Sequence, residues 1–131
     1  MVVGTKAMNN KILIIDDNKE FRDVLGLFVE KQVRGVRIRE AGTGEEGVAM
    51  ALKERPRIAL IDIQLPQMDG IEAASQIKRR LPGCDIITMS MFANESRQSV
   101  KQGVLAFIGK DELDSKLIPL LNKILETGGG V

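Results

Sequence analysis

The sequence predicts an α/β fold in which five parallel strands form a doubly wound sheet with helices on both faces. Five short apolar segments begin near residues 11, 36, 57, 85 and 104. Amphipathic stretches of helical length lie between them. Successive segments begin 19 to 28 residues apart, which matches one strand followed by one crossover helix. We therefore expect five strands and five helices, in the strand order 2-1-3-4-5.

Strands one, three, four and five are predicted from nearly continuous apolar runs. Such runs are typical of strands buried on both faces, and they read KILII (11–15), RIALID (57–62), DIITM (85–89) and VLAFI (104–108). The second segment, VRIRE (36–40), alternates apolar residues with Arg37 and Arg39, which predicts a half-exposed edge strand. The run at 104–108 is apolar although it should form the other edge. We interpret that face, with its flanking helices, as a candidate partner surface or as a face that those helices cover.

Helices are predicted from apolar residues at helical spacing and from their capping residues. Residues 19–32 place Phe21, Val24, Leu25 and Phe28 at i, i+3, i+4 and i+7, behind Asn18 as the N-cap. Thr43 and Glu46 form a candidate capping box for a second helix, and a third covers 71–81 before Pro82-Gly83. That arrangement gives each of the first three strands a helix directly after it.

The last two helices are less regular. Residues 93–102 are polar, with Val100 as the only strong apolar anchor. The last helix carries leucine and isoleucine residues between Leu113 and Leu125, with Pro119 among them. Pro119 fits if the helix begins near Ser115, and predicts a kink otherwise.

Composition sets the limits on chemistry and location. The chain has 131 residues, a net charge of +1 and no histidine, which suits one domain and excludes histidine-based catalysis and histidine metal ligands. Near-neutral charge argues against a nucleic-acid surface, so we expect DNA contact only through an output domain outside this chain. A single cysteine, Cys84, fits a reducing compartment, and neither a membrane span nor a signal peptide is apparent, so we expect a cytoplasmic location. We expect an N-terminal arm (1–10), one domain (11–126) and a flexible tail or linker start (127–131).

Chemically active side chains follow four strands at the edge where ligands bind in such sheets. Asp16 and Asp17 come directly after strand one, and Asp62 ends strand three. Ser90 and Lys110 end strands four and five. Three converging carboxylates favour a shared cation, and Mg²⁺ is the simplest one. A hydroxyl and an ammonium beside them suit a tetrahedral anion on Asp62.

With these residues in place, the chain resembles the receiver domain of bacterial two-component response regulators from about Lys11 to Glu126, a flavodoxin-like fold. The strongest match is IDIQLPQMDGIEA (61–73), and the acidic pair, Ser90 and the segment FIGK (107–110) match in order and spacing. The resemblance implies that Asp62 is the phospho-acceptor. It also implies direct Mg²⁺ ligation by Asp17, Asp62 and the main-chain carbonyl of Gln64, and ligation through water by Asp16.

The resemblance assigns further roles around the acceptor. Ser90 and Lys110 would bind the phosphoryl oxygens, and Phe107 would change rotamer as Ser90 moves. Gln64, Met91 and Phe92 occupy positions that tune access and dephosphorylation. The long Met91 would narrow the entrance, and the apolar Phe92 should hinder water and prolong the phosphorylated state.

The pairs Ser90-Met91 and Lys110-Asp111 resemble the LuxR-type transcription-factor subgroup. The stretch from Ser90 to Lys110 is about two residues shorter than is usual in that subgroup, and the missing residues fall around helix 93–102.

The function that follows is a phosphorylation-controlled switch and not an enzyme. The donor would be a phosphohistidine of a sensor histidine kinase or phosphotransfer protein. Homodimerisation through helix 93–102, strand five and the last helix is a candidate output, with transcription as its target and no role for a membrane. An aspartyl-phosphate phosphatase is disfavoured because such enzymes place a second aspartate where this chain has Gln64. A phosphorylation-independent interaction module is the remaining alternative.

Overall fold

The computed structural model describes residues 9–92 and 103–127 of the chain. Within them lie five strands, β1 (Lys11–Ile15), β2 (Arg37–Ala41), β3 (Ile58–Asp62), β4 (Asp85–Ser90) and β5 (Ala106–Gly109). The α-helices in this part are α1 (Lys19–Gln32), α2 (Gly44–Glu54), α3 (Gly70–Arg80) and α4 (Leu113–Glu126), with a 3-10 turn at Lys110–Glu112 before α4. The predicted helix over 93–102 lies outside the described residues, so four of the five predicted helices are observed.

All five strands are parallel and follow the order β2-β1-β3-β4-β5, as predicted. The half-polar strand is at one edge, where Arg37 is exposed and the next three residues are half-buried. β3 lies in the middle and all five of its residues are buried, in agreement with its continuous apolar sequence. β5 forms the opposite edge, and it begins at Ala106, two residues later than predicted.

Two hydrophobic layers sandwich the sheet because side chains alternate between its faces. Ile12 and Ile14 of β1 pack with α1 and α4, whereas Leu13 and Ile15 pack with α2 and α3. Leu105, just before β5, is 52% exposed, while Ile108 is buried beneath α4. The apolar edge is thus covered in part on the α4 side.

The buried face of α1 agrees with the prediction for Phe21, Leu25 and Phe28, which pack in or against the core, but not for Val24. Leu25 and Val29 are buried together with Gly26, whereas Val24 is 62% exposed. The reason is the close approach of α1 to β2: a Cβ on Gly26 would lie 3.3 Å from the Ile38 Cγ2 atom. Gly26 therefore belongs to the buried face of the helix, at a position that side-chain hydrophobicity does not indicate.

Helix caps agree with the sequence, except at α4. Asn18 and Thr43 accept hydrogen bonds from the amides of Phe21 and Glu46, at 3.0 Å each. α4 begins at Leu113 and not near Ser115, so Pro119 lies inside the helix, where its nitrogen cannot donate to the preceding turn. No helix in the described ranges is long and apolar enough to cross a membrane.

Candidate functional site

The candidate site lies at the carboxyl ends of β1, β3 and β5. Asp62 is the last residue of β3, and Asp16 and Lys110 come directly after β1 and β5. β1 and β3 are hydrogen-bonded neighbours, which brings the two aspartates together. Asp16 is fully buried and Asp62 is 5% exposed, so their charges are largely removed from water.

Asp17 adds a third, exposed carboxylate. One carboxylate oxygen from each of Asp16, Asp17 and Asp62 lies within 4.8 Å of the other two. Carboxylate oxygens are the ligands that Mg²⁺ prefers, and one exposed ligand leaves room for the waters that this ion retains. The donor set therefore fits a divalent magnesium ion.

Lys110 connects the two buried carboxylates. Its Nζ atom lies 2.7 Å from Asp16 Oδ2 and 3.1 Å from Asp62 Oδ2. The same ammonium lies 4.2 Å from the centre of the Phe21 ring, a distance at which a cation and an aromatic face attract each other. The lysine is thus held over the site by two carboxylates and one aromatic ring.

Backbone amides fix the other oxygens of these carboxylates. The Asn18 amide donates to Asp16 Oδ1 and the Gln64 amide donates to Asp62 Oδ1, each at 2.9 Å. Each carboxylate is therefore held by an amide on one oxygen and by Lys110 on the other. Its orientation toward the neighbouring carboxylate is set before any ligand arrives.

Burial and hydrogen bonding act in opposite directions on Asp62. Overall, the pKa of Asp62 is raised from 3.8 to about 6. Burial raises it because the charged form loses its hydration, and this effect outweighs the hydrogen bonds from the Gln64 main-chain amide and Lys110, which lower it. For Lys110, burial lowers the pKa, but the hydrogen bonds to Asp16 and Asp62 outweigh that effect and raise it overall. Lys110 therefore remains cationic at neutral pH, and Asp62 is mostly ionised there.

The loop after β3 is folded tightly against the acceptor. The Gly70 amide donates to the Ile63 carbonyl at 2.8 Å, and a Cβ on Gly70 would overlap the Asp62 carbonyl and lie 2.7 Å from the Ile63 Cα atom. Asp69 caps α3 by accepting from the Glu72 amide at 2.9 Å. The DG pair of the motif at 61–73 therefore closes the loop that carries Gln64.

The other predicted site residues lie in β4, in β5 and in the segments that follow β3 and β4. Ser90 ends β4 beside Gly109 of β5, is fully buried, and accepts a hydrogen bond from the Phe92 amide at 2.9 Å. Phe107 is half-buried in β5, opposite Thr88. Met91 and Phe92 are 70% and 51% exposed, so their side chains lie at the surface. Gln64 contributes to the site through its main-chain amide, which donates to Asp62 Oδ1.

Two contributors to the site were missed by the sequence analysis. Phe21 packs against the core, as its place on the apolar face of α1 predicts, but its ring also lies against the Lys110 ammonium. Arg22 donates to the Asp16 main-chain carbonyl at 2.6 Å and to Glu40 at 3.0 Å, and so ties α1 to the loop after β1. The signal available was position alone: both residues lie in the first turn of a helix that begins beside Asp16 and Asp17.

Comparison with known proteins identifies the arrangement. The family model described as "Response regulator receiver domain" matches residues 12–122. The chain belongs to this family. Receiver domains are phospho-acceptors and interact with sensor kinases or phosphotransfer proteins, and the aspartate cluster of this receiver domain could hold a metal ion.

Curated relatives include transcriptional regulators and a chemotaxis protein. The transcriptional regulatory protein LiaR of Bacillus subtilis is 35% identical over 76% of this receiver domain and 48% of its own length. The chemotaxis protein CheY of Thermotoga maritima is 31% identical over 89% of the receiver domain and 98% of its own length. Relatives of the LuxR type are present, LiaR among them. The receiver domain spans about half the length of the transcriptional regulators that it matches.

A solved structure supports the same assignment. The CheY-like receiver domain protein of Methanospirillum hungatei JF-1 has a TM-score of 0.78 and 29% identity, over 92% of this chain and 99% of that one. The strand order 2-1-3-4-5 predicted from the pattern, and the receiver fold implied by the resemblance, are therefore confirmed.

Proposed function

We propose that this receiver domain is a switch controlled by phosphorylation of Asp62. The donor is the phosphohistidine of a sensor histidine kinase or phosphotransfer protein in the cytoplasm. The observation that carries the proposal is the pairing of the Asp62 carboxylate with Lys110 at the end of β3, beside Asp16 and Asp17.

The transfer is a displacement at phosphorus. An Asp62 carboxylate oxygen forms a bond to phosphorus while the P–N bond to the donor imidazole breaks, and its electron pair stays on that nitrogen. Lys110 already lies within hydrogen-bonding distance of Asp62, so its ammonium can follow the charge onto the phosphoryl oxygens. The chain itself needs no histidine for this step, in agreement with its composition.

Asp16, Asp17, Asp62 and the main-chain carbonyl of Gln64 are the proposed Mg²⁺ ligands. Bound there, the ion supplies positive charge that offsets the negative charge of the phosphoryl group and the carboxylates. The chemistry of the donor set supports this proposal, since all of its atoms are oxygens and Asp17 is open to solvent.

Ser90, Lys110 and Phe107 are the proposed switch residues. A phosphoryl group on Asp62 adds charge and acceptor oxygens, and the Ser90 hydroxyl can move toward them to donate a hydrogen bond, while its oxygen accepts from the Phe92 amide. Phe107 lies in β5 next to the strand of Ser90, so its rotamer can respond to that movement. The output face is then residues 93–102, β5 and α4, through which we propose phosphorylation-dependent homodimerisation.

The proposed target is transcription, through an output domain outside this chain that contacts DNA. Its support is the set of regulators that match the chain, several of which are named as transcriptional. The pairs Ser90-Met91 and Lys110-Asp111 favour the LuxR-type subgroup.

The direct test is incubation with acetyl phosphate and Mg²⁺, followed by intact mass measurement. We expect the mass gain of one phosphoryl group in the original chain and in Asp23→Asn, which removes an exposed carboxylate. We expect no gain in Asp62→Asn. A phosphoryl adduct on Asp62→Asn would refute the assignment, and no adduct on the original chain would favour the phosphorylation-independent interaction module.

Size measurement with beryllofluoride tests the output. We expect the dimer fraction to rise with the mimic, and Leu105→Glu, at the exposed start of the β5 edge, to abolish the rise. Leu27→Glu changes an apolar residue of similar exposure on α1, away from α4, and should leave the rise intact. If Leu27→Glu abolishes the rise and Leu105→Glu does not, the output face lies on α1.

A further inference from the structure

A second concave site lies at the opposite end of the sheet, where β3 and β4 begin. It is a cavity of about 270 Å³ between the segment before β3 and the turn that joins α3 to β4. Three arginines line it, Arg55, Arg57 and Arg80, and its described lining contains no acidic residue. Nothing in the proposed phosphorylation chemistry uses this cavity.

Arg57 is the unusual member of the three. It is 6% exposed, and its Nη1 atom donates to Asp85 Oδ2 at 2.6 Å. Its Nε atom is buried and has no hydrogen-bond partner within the part of the chain that the structure describes. A buried guanidinium N–H without an acceptor is costly. Because this atom is closed to solvent, a ligand in the cavity reaches it only when the Arg57 side chain shifts, and that shift removes the cost by giving the N–H an acceptor.

The charge of the cavity favours an anion. Two helices, α2 and α3, end here, and each helix end contributes roughly half a negative charge, so the two together offset about one arginine. Asp85 offsets a second one through Arg57. Of the three positive charges, about one therefore remains uncompensated after the two helix ends and Asp85 are taken into account.

We propose that this cavity binds a small phosphate-bearing molecule. Tetrahedral phosphate has enough acceptor oxygens to bond several guanidinium groups at once, and arginine forks match it well. Pro56, Leu81 and Pro82 provide apolar walls against which a short organic group can lie. The volume is below the usual range of ligand pockets, so the ligand is small.

The test is an NMR titration of the whole chain without Mg²⁺, using inorganic phosphate and glycerol 3-phosphate. We expect millimolar binding that shifts the Arg57 Nε–H signal and the amides of residues 55–57 and 80–84. Arg80→Gln and Arg55→Asn should each weaken binding about tenfold. Both side chains are exposed, and asparagine tolerates the left-handed backbone of Arg55 (φ 51°), so both variants should fold.

Arg79→Gln is the matched control, since it removes an equal charge from the neighbouring residue of α3, which does not line the cavity. We expect binding within about twofold of the original chain. Asp62→Asn should also leave binding intact, which separates this site from the phosphorylation site. If glycerol 3-phosphate binds more tightly than inorganic phosphate, the apolar walls take part. No shift with either ligand, or equal losses in Arg79→Gln and Arg80→Gln, would overturn the proposal.

Discussion

At the scale of single residues, the balance of charge around Asp62 is the central property of the molecule. Two buried carboxylates share one ammonium, since Lys110 donates to Asp16 at 2.7 Å and to Asp62 at 3.1 Å. Even so, the pKa of Asp62 is about 6, because loss of hydration outweighs the lysine and the Gln64 amide. The acceptor is therefore held in a state that costs folding free energy, as expected for a group selected for reactivity.

This cost predicts that Asp62→Asn stabilises the fold at neutral pH. Between the unfolded pKa near 3.8 and the folded value of about 6, the native state binds more protons, so the free energy of unfolding falls as pH rises. Without Mg²⁺ we expect Asp62→Asn to raise the free energy of unfolding by about 2 kcal/mol at about pH 7.5, and the gain to vanish near about pH 4. Urea denaturation at both pH values measures it.

Asp23→Asn is the control, because we expect it to change the free energy of unfolding in the opposite direction. The hydrogen bond from Lys19 holds the pKa of this exposed carboxyl below its usual value, so its removal should slightly destabilise the chain at neutral pH. If Asp62→Asn destabilises the chain at neutral pH as well, then Lys110 stabilises Asp62 more than burial penalises it.

Phe21 is predicted to act as a positioning residue for Lys110. Phe21→Leu keeps an apolar side chain in the first turn of α1 but removes the ring under the ammonium, and we expect a loss of about 0.5 to 1 kcal/mol. Phosphorylation by acetyl phosphate should slow several-fold. Phe28→Leu, further along the same helix, removes a ring that packs against the core, and it should lower stability without that slowing. Equal phosphorylation rates in the two variants would show that Phe21 does not position Lys110.

Phe92 is predicted to protect the phosphorylated state. It lies two residues beyond Ser90 and is 51% exposed, so an acidic side chain there can orient water without disturbing the core. We expect Phe92→Glu to accelerate loss of the phosphoryl group about tenfold, and Phe92→Leu to change it little. The expected gain is below the roughly 100-fold or more of a well-positioned general base, because a side chain at this exposed position is held loosely. Decay is followed by intact mass after removal of acetyl phosphate. An unchanged rate in Phe92→Glu would contradict the role.

At the scale of the elements, the strands were predicted better than the helix contacts. Strand order and the buried centre at β3 follow from runs of apolar residues, which two-sided burial requires. The burial of Gly26 and the exposure of Val24 in α1 do not follow from the sequence in this way. They accompany the close approach of Gly26 to Ile38, and glycine has no side chain that would give a hydrophobic signal. The sequence also indicated Lys110 and Asp62 by position and Phe21 as a core residue, but it did not indicate the contact between the Phe21 ring and Lys110.

The loop between β3 and α3 gives the prediction at this scale. Because a Cβ on Gly70 would overlap the Asp62 carbonyl, Gly70→Ala must displace the backbone that positions the acceptor. We expect a loss of about 2 kcal/mol in the free energy of unfolding and slower phosphorylation. Gly83→Ala is the control, since a Cβ there meets nothing within 4 Å. Equal stability of the two variants would show that the loop can relax without cost.

At the scale of the whole molecule, the two ends of the sheet carry opposite charge. Asp16, Asp17 and Asp62 gather at the carboxyl ends of the strands, whereas Arg55, Arg57 and Arg80 gather at the amino ends. The net charge of +1 conceals this separation, which only the fold makes visible. A near-neutral chain can therefore attract a cation at one end and an anion at the other.

Mg²⁺ should accordingly stabilise the folded chain through its acidic end. A ligand that binds only the native state raises the free energy of unfolding by about 1.4 kcal/mol at roughly ten times its dissociation constant. We expect the melting temperature to rise with Mg²⁺ in the original chain and in Glu20→Gln, an exposed acid nearby in α1. The rise should be lost in Asp17→Asn, whose side chain is exposed and therefore not needed for folding. If Mg²⁺ stabilises Asp17→Asn as much as the original chain, the ion binds outside the aspartate cluster, and the metal assignment is wrong.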